Sequence, residues 1–140
     1  MGHLGELFEI PSQMDLRGNI AFFEPSILKF PFSIERVYYL FGVPDDEVRG
    51  EHAHFDLDQV LIALNGSFSV ALEQNGKTEN INLNCPKTGL IIRPGTWRRL
   101  SCFSANAVCL VLASDVYRES DYIRSYSNFL ALTESGRWIE

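Results

Sequence analysis

The chain has 140 residues, of which 46% are hydrophobic and 21% charged, which is the composition of a compact folded protein and excludes a disordered or fibrous one. Twelve basic residues against 18 acidic ones give a net charge of −6, and the basic residues are scattered, so we expect no nucleic-acid partner. No run of 18 apolar residues occurs and the first ten residues do not form a signal peptide, which predicts a cytoplasmic protein that does not enter a membrane. This length fits a single domain over residues 1–140.

Short β-strands separated by turns are predicted for most of the chain. In chain order, the strands are predicted at residues 17–24, 34–42, 52–54, 59–65, 67–74, 77–83, 89–92, 97–103 and 107–114. The dipeptides Asn65-Gly66 and Asn75-Gly76 favour hairpins, because both residue types tolerate positive φ. Such a series of short strands is typical of an antiparallel sandwich or barrel. A helix is predicted only at 120–130, with one apolar stripe formed by Tyr122, Tyr126, Phe129 and Leu130.

Two of the three histidines lie two residues apart, as His52 and His54. In an extended strand, side chains at positions i and i+2 leave the same face, so the two imidazoles are predicted to face one concave site. Imidazole binds metals and also titrates near neutral pH. The pair therefore indicates either a metal site or two proton-transfer groups.

The histidine strand lies in a pattern that resembles the cupin family. The first cupin motif is similar to Gly50, His52 and His54 followed by Gly66 at the next turn, and the second is similar to residues 89–98. This resemblance implies an all-β, cupin-type antiparallel β-barrel of the jelly-roll kind, here with a short C-terminal helix.

Two departures from the cupin pattern argue against a metal. Metal-binding cupins add a glutamate in the first motif and a histidine in the second, where this chain has Gln59 and Arg98. An amide is a poor substitute for an anionic ligand, and a guanidinium repels a divalent cation. We therefore expect no metal, and we expect the two imidazoles to carry protons instead. A metal-dependent cupin such as a dioxygenase is the alternative, which metal analysis of the purified protein would decide.

A closer resemblance covers residues 17–129. Segments 36–39, 59–67, 89–92, 110–117 and 121–124 are similar, in order and spacing, to the bacterial sugar 3,4-ketoisomerases, the WxcM-like family that acts on dTDP-4-keto-6-deoxyglucose. The resemblance implies that a carbonyl moves from C4 to C3 of a dTDP-linked 4-keto-6-deoxyhexose through an enediol, which supplies 3-amino-3,6-dideoxyhexoses for O-antigen or S-layer glycans. This chemistry needs no cofactor, and no Gly-rich nucleotide fingerprint is found.

The same resemblance implies roles for individual residues. His52 and His54 would be the catalytic pair, with His54 favoured as the carbon base, and Tyr38 would act on an enediol oxygen. Strand alternation places Tyr38, and not Tyr39, on the face of Arg36. Trp97 would stack on the substrate or belong to the core, and arginine at both 17 and 98 leaves the galacto or gluco outcome at C4 open. Substrate binding is expected from Arg17, Arg36, Gln59, Trp97 and Arg98.

A homodimer is also expected. The β-prone segment 7–11 precedes the first barrel strand, and the family resemblance favours dimers, so residues 1–16 are predicted to contain a strand exchanged between two copies. A loosely ordered leader is the alternative. Two further functions stay open, a metal-free dTDP-sugar 3,5-epimerase and a non-catalytic sugar-binding cupin, although a binding module has no need for two titratable groups on one face.

Overall fold

The computed structural model describes residues 4–24 and 30–138, and this part of the chain is mostly β-structure. Its strands are β1 (Gly5–Glu9), β2 (Ser12–Asp15), β3 (Gly18–Ala21), β4 (Arg36–Phe41), β5 (Arg49–His54), β6 (Gln59–Asn65), β7 (Phe68–Gln74), β8 (Lys77–Leu83), β9 (Thr88–Ile92), β10 (Trp97–Ser101), β11 (Val108–Ala113) and β12 (Tyr122–Ile123). A short 3₁₀ helix (Glu119–Asp121) precedes β12, and the α-helix α1 (Tyr126–Glu134) follows it.

The strands form two antiparallel five-stranded sheets that pack face to face. The first sheet has the order β1-β9-β6-β11-β4, the second has the order β12-β5-β10-β7-β8, and β2 and β3 form a separate hairpin. The all-β jelly-roll architecture expected from the sequence is confirmed. The described strands form two separate hydrogen-bonded sheets, so the arrangement is a sandwich and not a closed barrel.

Most strands lie where the sequence predicts them, and β6 and β8 match residue for residue. The tight turn between β7 and β8 is formed by Asn75 and Gly76, whose φ values of 50° and 76° are the left-handed pair that this dipeptide favours. The predicted strand 17–24 is only partly correct. Its first residue, Arg17, lies in the β2–β3 turn, where the Asp15 carboxylate accepts a hydrogen bond from its backbone N–H at 2.7 Å.

The helix predicted at 120–130 begins later, at Tyr126, and continues to Glu134. Tyr122 and Ile123 instead pair with β5, opposite His54 and Ala53, because this short strand completes the edge of the second sheet. Ser125 is the N-cap residue, and its hydroxyl accepts a hydrogen bond from the backbone N–H of Asn128 at 3.2 Å. Tyr122 is therefore outside the helical stripe.

Apolar side chains fill one end of the space between the sheets and cover both outer faces. The central cluster includes Phe68, Phe103, Leu61 and Leu90. A second cluster lies on the outer face of the first sheet, and a third is formed under α1 by Ala53, Trp97, Ile123 and Phe129. At the other end polar side chains from both sheets face each other, beside apolar ones such as Leu40 and Leu100. Within residues 4–24 and 30–138, no helix is long and apolar enough to cross a membrane.

Replacing Trp97 by Ala should lower the free energy of unfolding by about 3–5 kcal/mol, because it removes a buried indole from the cluster under α1. Urea unfolding followed by circular dichroism measures the change. The matched control is Arg99→Ala, an exposed neighbour on the same strand, which should change the free energy by less than about 0.5 kcal/mol. Equal effects of the two substitutions would contradict the core position of Trp97.

Candidate active site

A cavity of about 330 Å³ lies between the two sheets at their polar end. Both sheets contribute to its wall, since Tyr38 and Gln59 come from the first sheet and His52 and Arg98 from the second. The remaining polar lining is provided by Arg49, Glu51, Tyr122 and Arg124. We call this space the barrel cavity.

The backbone of β5 is bent just before the two histidines. Gly50 has a φ of +65°, which a residue with a side chain rarely adopts. The pairing with β10 shifts between His52, which is opposite Arg98, and Arg49, which is opposite Leu100, so that β5 contains one extra residue. A β-bulge of this kind redirects the side chains that follow it, and the residues that follow this one are the two histidines.

The two imidazoles lie next to each other, as their spacing predicts. Their Nε2 atoms are 3.0 Å apart and the ring planes are almost perpendicular, while Ala53 between them faces the cluster under α1. His54 is fully buried, and His52 is 8% exposed and lines the barrel cavity. A hydrogen bond between two imidazoles requires that one ring nitrogen donates and the other, unprotonated, accepts. The protonation states of the two rings are therefore coupled.

Two residues that the sequence did not single out complete the histidine pair. The Asp121 carboxylate lies 2.9 Å from Nδ1 of His54, and the Tyr122 ring centre lies 5.0 Å from that of His52 and 4.5 Å from that of His54. Both residues fall in the segment that carried the family resemblance, but a helical assignment of this segment separated them from β5. The pairing of β12 with β5 brings them to the histidines.

A second chain of hydrogen bonds crosses the barrel cavity from sheet to sheet. Nη1 of Arg98 donates to Oε1 of Gln59 at 2.6 Å, and Nε2 of Gln59 donates to the Tyr38 hydroxyl at 3.1 Å. Nη2 of Arg98 donates to the Thr96 carbonyl at 3.0 Å, whereas its Nε has no partner in residues 4–24 and 30–138. Because Tyr38 accepts from Gln59, its own hydroxyl proton is free to be donated to another group.

Arg98 is a buried cation that forms no ion pair with a carboxylate of the described residues. Its side chain is 1% exposed, and no ion pair among the described residues involves it. Burial lowers its pKa to about 10, and Tyr38, Tyr122 and Asp121 oppose this shift, so the guanidinium remains protonated at neutral pH. It therefore imposes a positive potential on the barrel cavity and attracts any negative charge that develops there.

The same environment keeps both histidines neutral. Burial, followed by the charges of Arg98 and Arg124, lowers the pKa of His52 to about 3. Burial, then Arg98 and His52, lowers the pKa of His54 even further. Burial raises the pKa of Tyr38, so the phenol keeps its proton. The cavity thus places neutral imidazoles, which can accept a proton, opposite a phenol that can donate one.

Three residues predicted to bind substrate are not brought into the barrel cavity of this chain. Trp97 precedes the inward-facing Arg98 on β10 and packs outward against Tyr126 and Phe129, which is the core position that the sequence left as its alternative. The Arg17 side chain is 92% exposed at the tip of the β2–β3 hairpin and pairs with Asp15. Arg36 lies 5.3 Å above the Tyr38 ring and lines a neighbouring pocket.

The donor atoms near the histidines suit a divalent cation poorly. Within the described ranges, no group of three or more His, Cys, Asp or Glu side chains could hold a metal ion. The oxygen of Gln59 already accepts from Arg98, whose charge opposes a cation. That the protein uses no metal stays a prediction.

Comparison with known proteins identifies the family. The family model FdtA, described as WxcM-like, C-terminal, matches residues 4–134. The chain belongs to this family. It is 46% identical over 116 residues, 83% of each chain, to a TDP-4-oxo-6-deoxy-alpha-D-glucose-3,4-oxoisomerase of Aneurinibacillus thermoaerophilus.

Solved structures of the same family have the same fold. A variant of the 3,4-ketoisomerase QdtA from Thermoanaerobacterium thermosaccharolyticum, in complex with TDP-4-keto-6-deoxyglucose, is 38% identical with a TM-score of 0.92 over all of both chains. The WlaRB TDP-quinovose 3,4-ketoisomerase from Campylobacter jejuni is 40% identical with a TM-score of 0.84, over 91% of this chain and 97% of that one. A dTDP-4-dehydrorhamnose 3,5-epimerase from Bacillus anthracis is 11% identical, with a TM-score of 0.74 over 84% of this chain and 76% of that one, and shares the fold alone.

The stability of the protein should fall as the pH is lowered from about 7.5 to about 5. The two histidines have lowered pKa values in the folded state, so below their unfolded pKa of about 6.5 only the unfolded chain takes up their protons. Each histidine should contribute a slope of up to about 1.4 kcal/mol per pH unit. Urea unfolding at each pH measures the slope, and His52→Gln should reduce it to roughly half. A free energy of unfolding that does not change over this window would contradict the assignment of neutral histidines.

Proposed function

We propose that the protein is a sugar 3,4-ketoisomerase that converts dTDP-4-keto-6-deoxy-D-glucose to a dTDP-3-keto-6-deoxyhexose. The observation that carries this proposal is the pair of neutral imidazoles, His52 and His54, of which His52 lines a cavity together with the buried cation Arg98. The named activities of the relatives, which are 46%, 40% and 38% identical to this chain, support it. The cytoplasmic location and the supply of 3-amino-3,6-dideoxyhexoses for O-antigen or S-layer glycans belong to the same proposal.

The reaction requires a base that removes the proton from C3, which the neighbouring C4 carbonyl makes acidic. His52 is the better candidate, because it lines the barrel cavity. His54, favoured from the sequence, is fully buried, and its two nitrogens lie against His52 and Asp121. We therefore assign the contact with carbon to His52 and a relay role to His54.

Removal of the C3 proton leaves negative charge on the enediol oxygens. Arg98 faces this charge with a protonated guanidinium whose Nε is without a partner among the described residues. Tyr38 can donate its hydroxyl proton, since Gln59 already donates to its oxygen. Donors aimed at a developing oxyanion in a buried site are each worth about 10²–10³ in rate. Tyr38 gives its proton to O4 and takes up the O3 proton, while the protonated His52 returns a proton to C4, so that the carbonyl then lies at C3.

The nucleotide part of the substrate carries a pyrophosphate, which arginine recognises well. Arg49 is exposed and lines the barrel cavity, and Arg124 lines it as well while it pairs with Glu119. These two side chains give a net acidic protein the local positive charge that a sugar nucleotide requires. Arg36, whose Nε is also buried without a partner in the described part of the chain, adds a third cation on the far side of Tyr38.

Incubation with dTDP-4-keto-6-deoxyglucose in deuterated buffer should give a 3-keto product with deuterium at C4. Proton NMR measures the loss of the C4 proton signal. His52→Asn and His54→Asn should each lower kcat by about 10²–10⁴-fold, because they remove a proton carrier. The control Arg99→Ala, on the opposite face of β10, should keep wild-type activity.

The same spectra separate the alternatives. Exchange at C3 and C5 with the ketone retained at C4 would replace the proposal by a 3,5-epimerase, and binding without any exchange would indicate a sugar-binding protein. The coupling constant at C4 of the product distinguishes the galacto from the gluco outcome.

We also propose that the protein is a homodimer in which residues 1–16 are exchanged between copies. Val37, Tyr39 and Phe41 on the outer face of edge strand β4 are 56%, 61% and 69% exposed, an apolar surface that a second copy could cover. In the single chain β1 pairs with β9, and Arg17 lies outside the barrel cavity. An exchange of this segment would allow Arg17 of one copy to reach the cavity of the other.

Complementation tests this exchange. Light scattering should give the mass of two chains, and both Arg17→Ala and His52→Asn should be impaired alone. If Arg17 acts in the other copy, each mixed dimer formed on co-expression contains one site with wild-type Arg17 and wild-type His52, so activity should recover. A mixture with no more activity than the better single variant would contradict an exchanged Arg17.

A further inference from the structure

The carboxylate of Asp121 is held from two sides. Its Oδ2 lies 2.9 Å from Nδ1 of His54, and its Oδ1 accepts a hydrogen bond from the backbone N–H of Asp56 at 2.8 Å. The Asp121 carbonyl also accepts from the N–H of Phe55 at 3.0 Å, which ties the 3₁₀ helix to the end of β5. Each oxygen of the carboxylate therefore has a defined partner and the side chain cannot rotate without loss of both bonds.

This arrangement determines where the protons of the two neutral histidines lie. An ionised carboxylate can only accept hydrogen bonds, so Nδ1 of His54 must carry a proton. Nε2 of His54 is then a lone pair, and it accepts the Nε2 proton of His52 across the 3.0 Å contact. The one ring nitrogen of the two histidines that then keeps a free lone pair is Nδ1 of His52.

That last nitrogen lies beside the barrel cavity. A Cβ added to Gly50 would be 4.0 Å from Nδ1 of His52, and both residues line the cavity wall. The Gly50 backbone favours the protonated form of His52, because a carbonyl there can accept a hydrogen bond only after Nδ1 has taken up a proton. The direction of the hydrogen bonds from Asp121 thus ends in a basic atom at the place where substrate would bind.

We propose that Asp121 is a positioning residue that, through His54, fixes the basic lone pair of His52 on Nδ1 at the barrel cavity. Only the kinetic consequence rests on the proposed function, since the proton positions belong to the free protein.

Solvent reaches Asp121 from a second pocket of about 330 Å³, which is lined by His54, Asp121, Tyr122, Arg36, Asp115 and Arg118 among others. The Asp121 side chain is 15% exposed. Burial raises its pKa, whereas the hydrogen bonds from the backbone of Asp56 and Leu57 oppose this shift and favour the carboxylate. The histidine pair therefore separates the barrel cavity from a pocket that keeps its acidic partner hydrated.

Asn at position 121 should reverse the proton positions. Its Oδ1 must continue to accept from the N–H of Asp56, so its amide N–H₂ faces Nδ1 of His54 and donates to it. His54 is then protonated on Nε2 and donates to His52, whose proton moves to Nδ1. The lone pair at the barrel cavity disappears, although the shape of the side chain is unchanged.

The experiment is a long-range ¹H–¹⁵N correlation spectrum of the free protein at about pH 8, where the histidines are neutral. Wild type should show His54 protonated on Nδ1 and His52 on Nε2, and Asp121→Asn should show the reverse. In turnover, Asp121→Asn should lower kcat by about 10²–10⁴-fold with KM changed less than about threefold. The control Asp115→Asn, which alters a carboxylate of the same pocket that pairs with Arg118, should change neither.

Wild-type His54 protonated on Nε2 would overturn the proposal, and this result does not depend on whether any variant folds. Unchanged proton positions and kcat in a folded Asp121→Asn protein would also overturn it. The predicted proton positions in a wild-type protein that does not isomerise the sugar would refute the proposed function and leave the positioning by Asp121 intact.

Discussion

The arrangement of the site depends on one buried guanidinium, that of Arg98, which has no carboxylate as an ion-pair partner in the part of the chain that the structure describes. Taking an ion out of water costs several kcal/mol, and at Arg98 hydrogen bonds to two neutral acceptors, the Gln59 and Thr96 oxygens, offset part of that cost. Tyr38, Tyr122 and Asp121 also favour the charged form. Burial and, after it, the charge of Arg98 lower the pKa of both histidines, and the cation supplies the positive potential that an enediolate requires. A carboxylate in place of Gln59 would neutralise this potential, and a histidine in place of Arg98 would provide a metal ligand. The same two residues thus distinguish this site from a cupin metal centre.

The fold makes this charge tolerable by dividing the space between the sheets. Large apolar side chains such as Phe68 and Phe103 pack at one end, and the polar groups are confined to the other. Helix α1 and Trp97 pack on the back of the strands that carry the histidines and Arg98. The bulge at Gly50 then gives the histidine strand its direction into the cavity.

Much of the fold and half of the site follow from local patterns in the sequence. Strand periodicity, the Asn75-Gly76 turn and the i, i+2 spacing of the histidines are local, and they predict β6, β8 and the shared face of the two rings. Features that depend on distant pairing were missed. The spacing of Tyr122 and Tyr126 fits a helix as well as it fits the actual strand and cap, and Asp121 reaches His54 only because β12 pairs with β5, 67 positions earlier in the chain. Trp97 was ambiguous until the inward direction of Arg98 assigned it to the outer face.

The most direct test of this account is the pKa of His52 and His54, measured by an NMR pH titration in wild type and in an Arg98→Met variant. We expect the His52 pKa to lie far below its ordinary value of about 6.5 in wild type and to rise when the guanidinium is removed, because only burial and the charge of Arg124 then oppose protonation. A His52 pKa near 6.5 in wild type, or one that does not respond to the loss of Arg98, would contradict it.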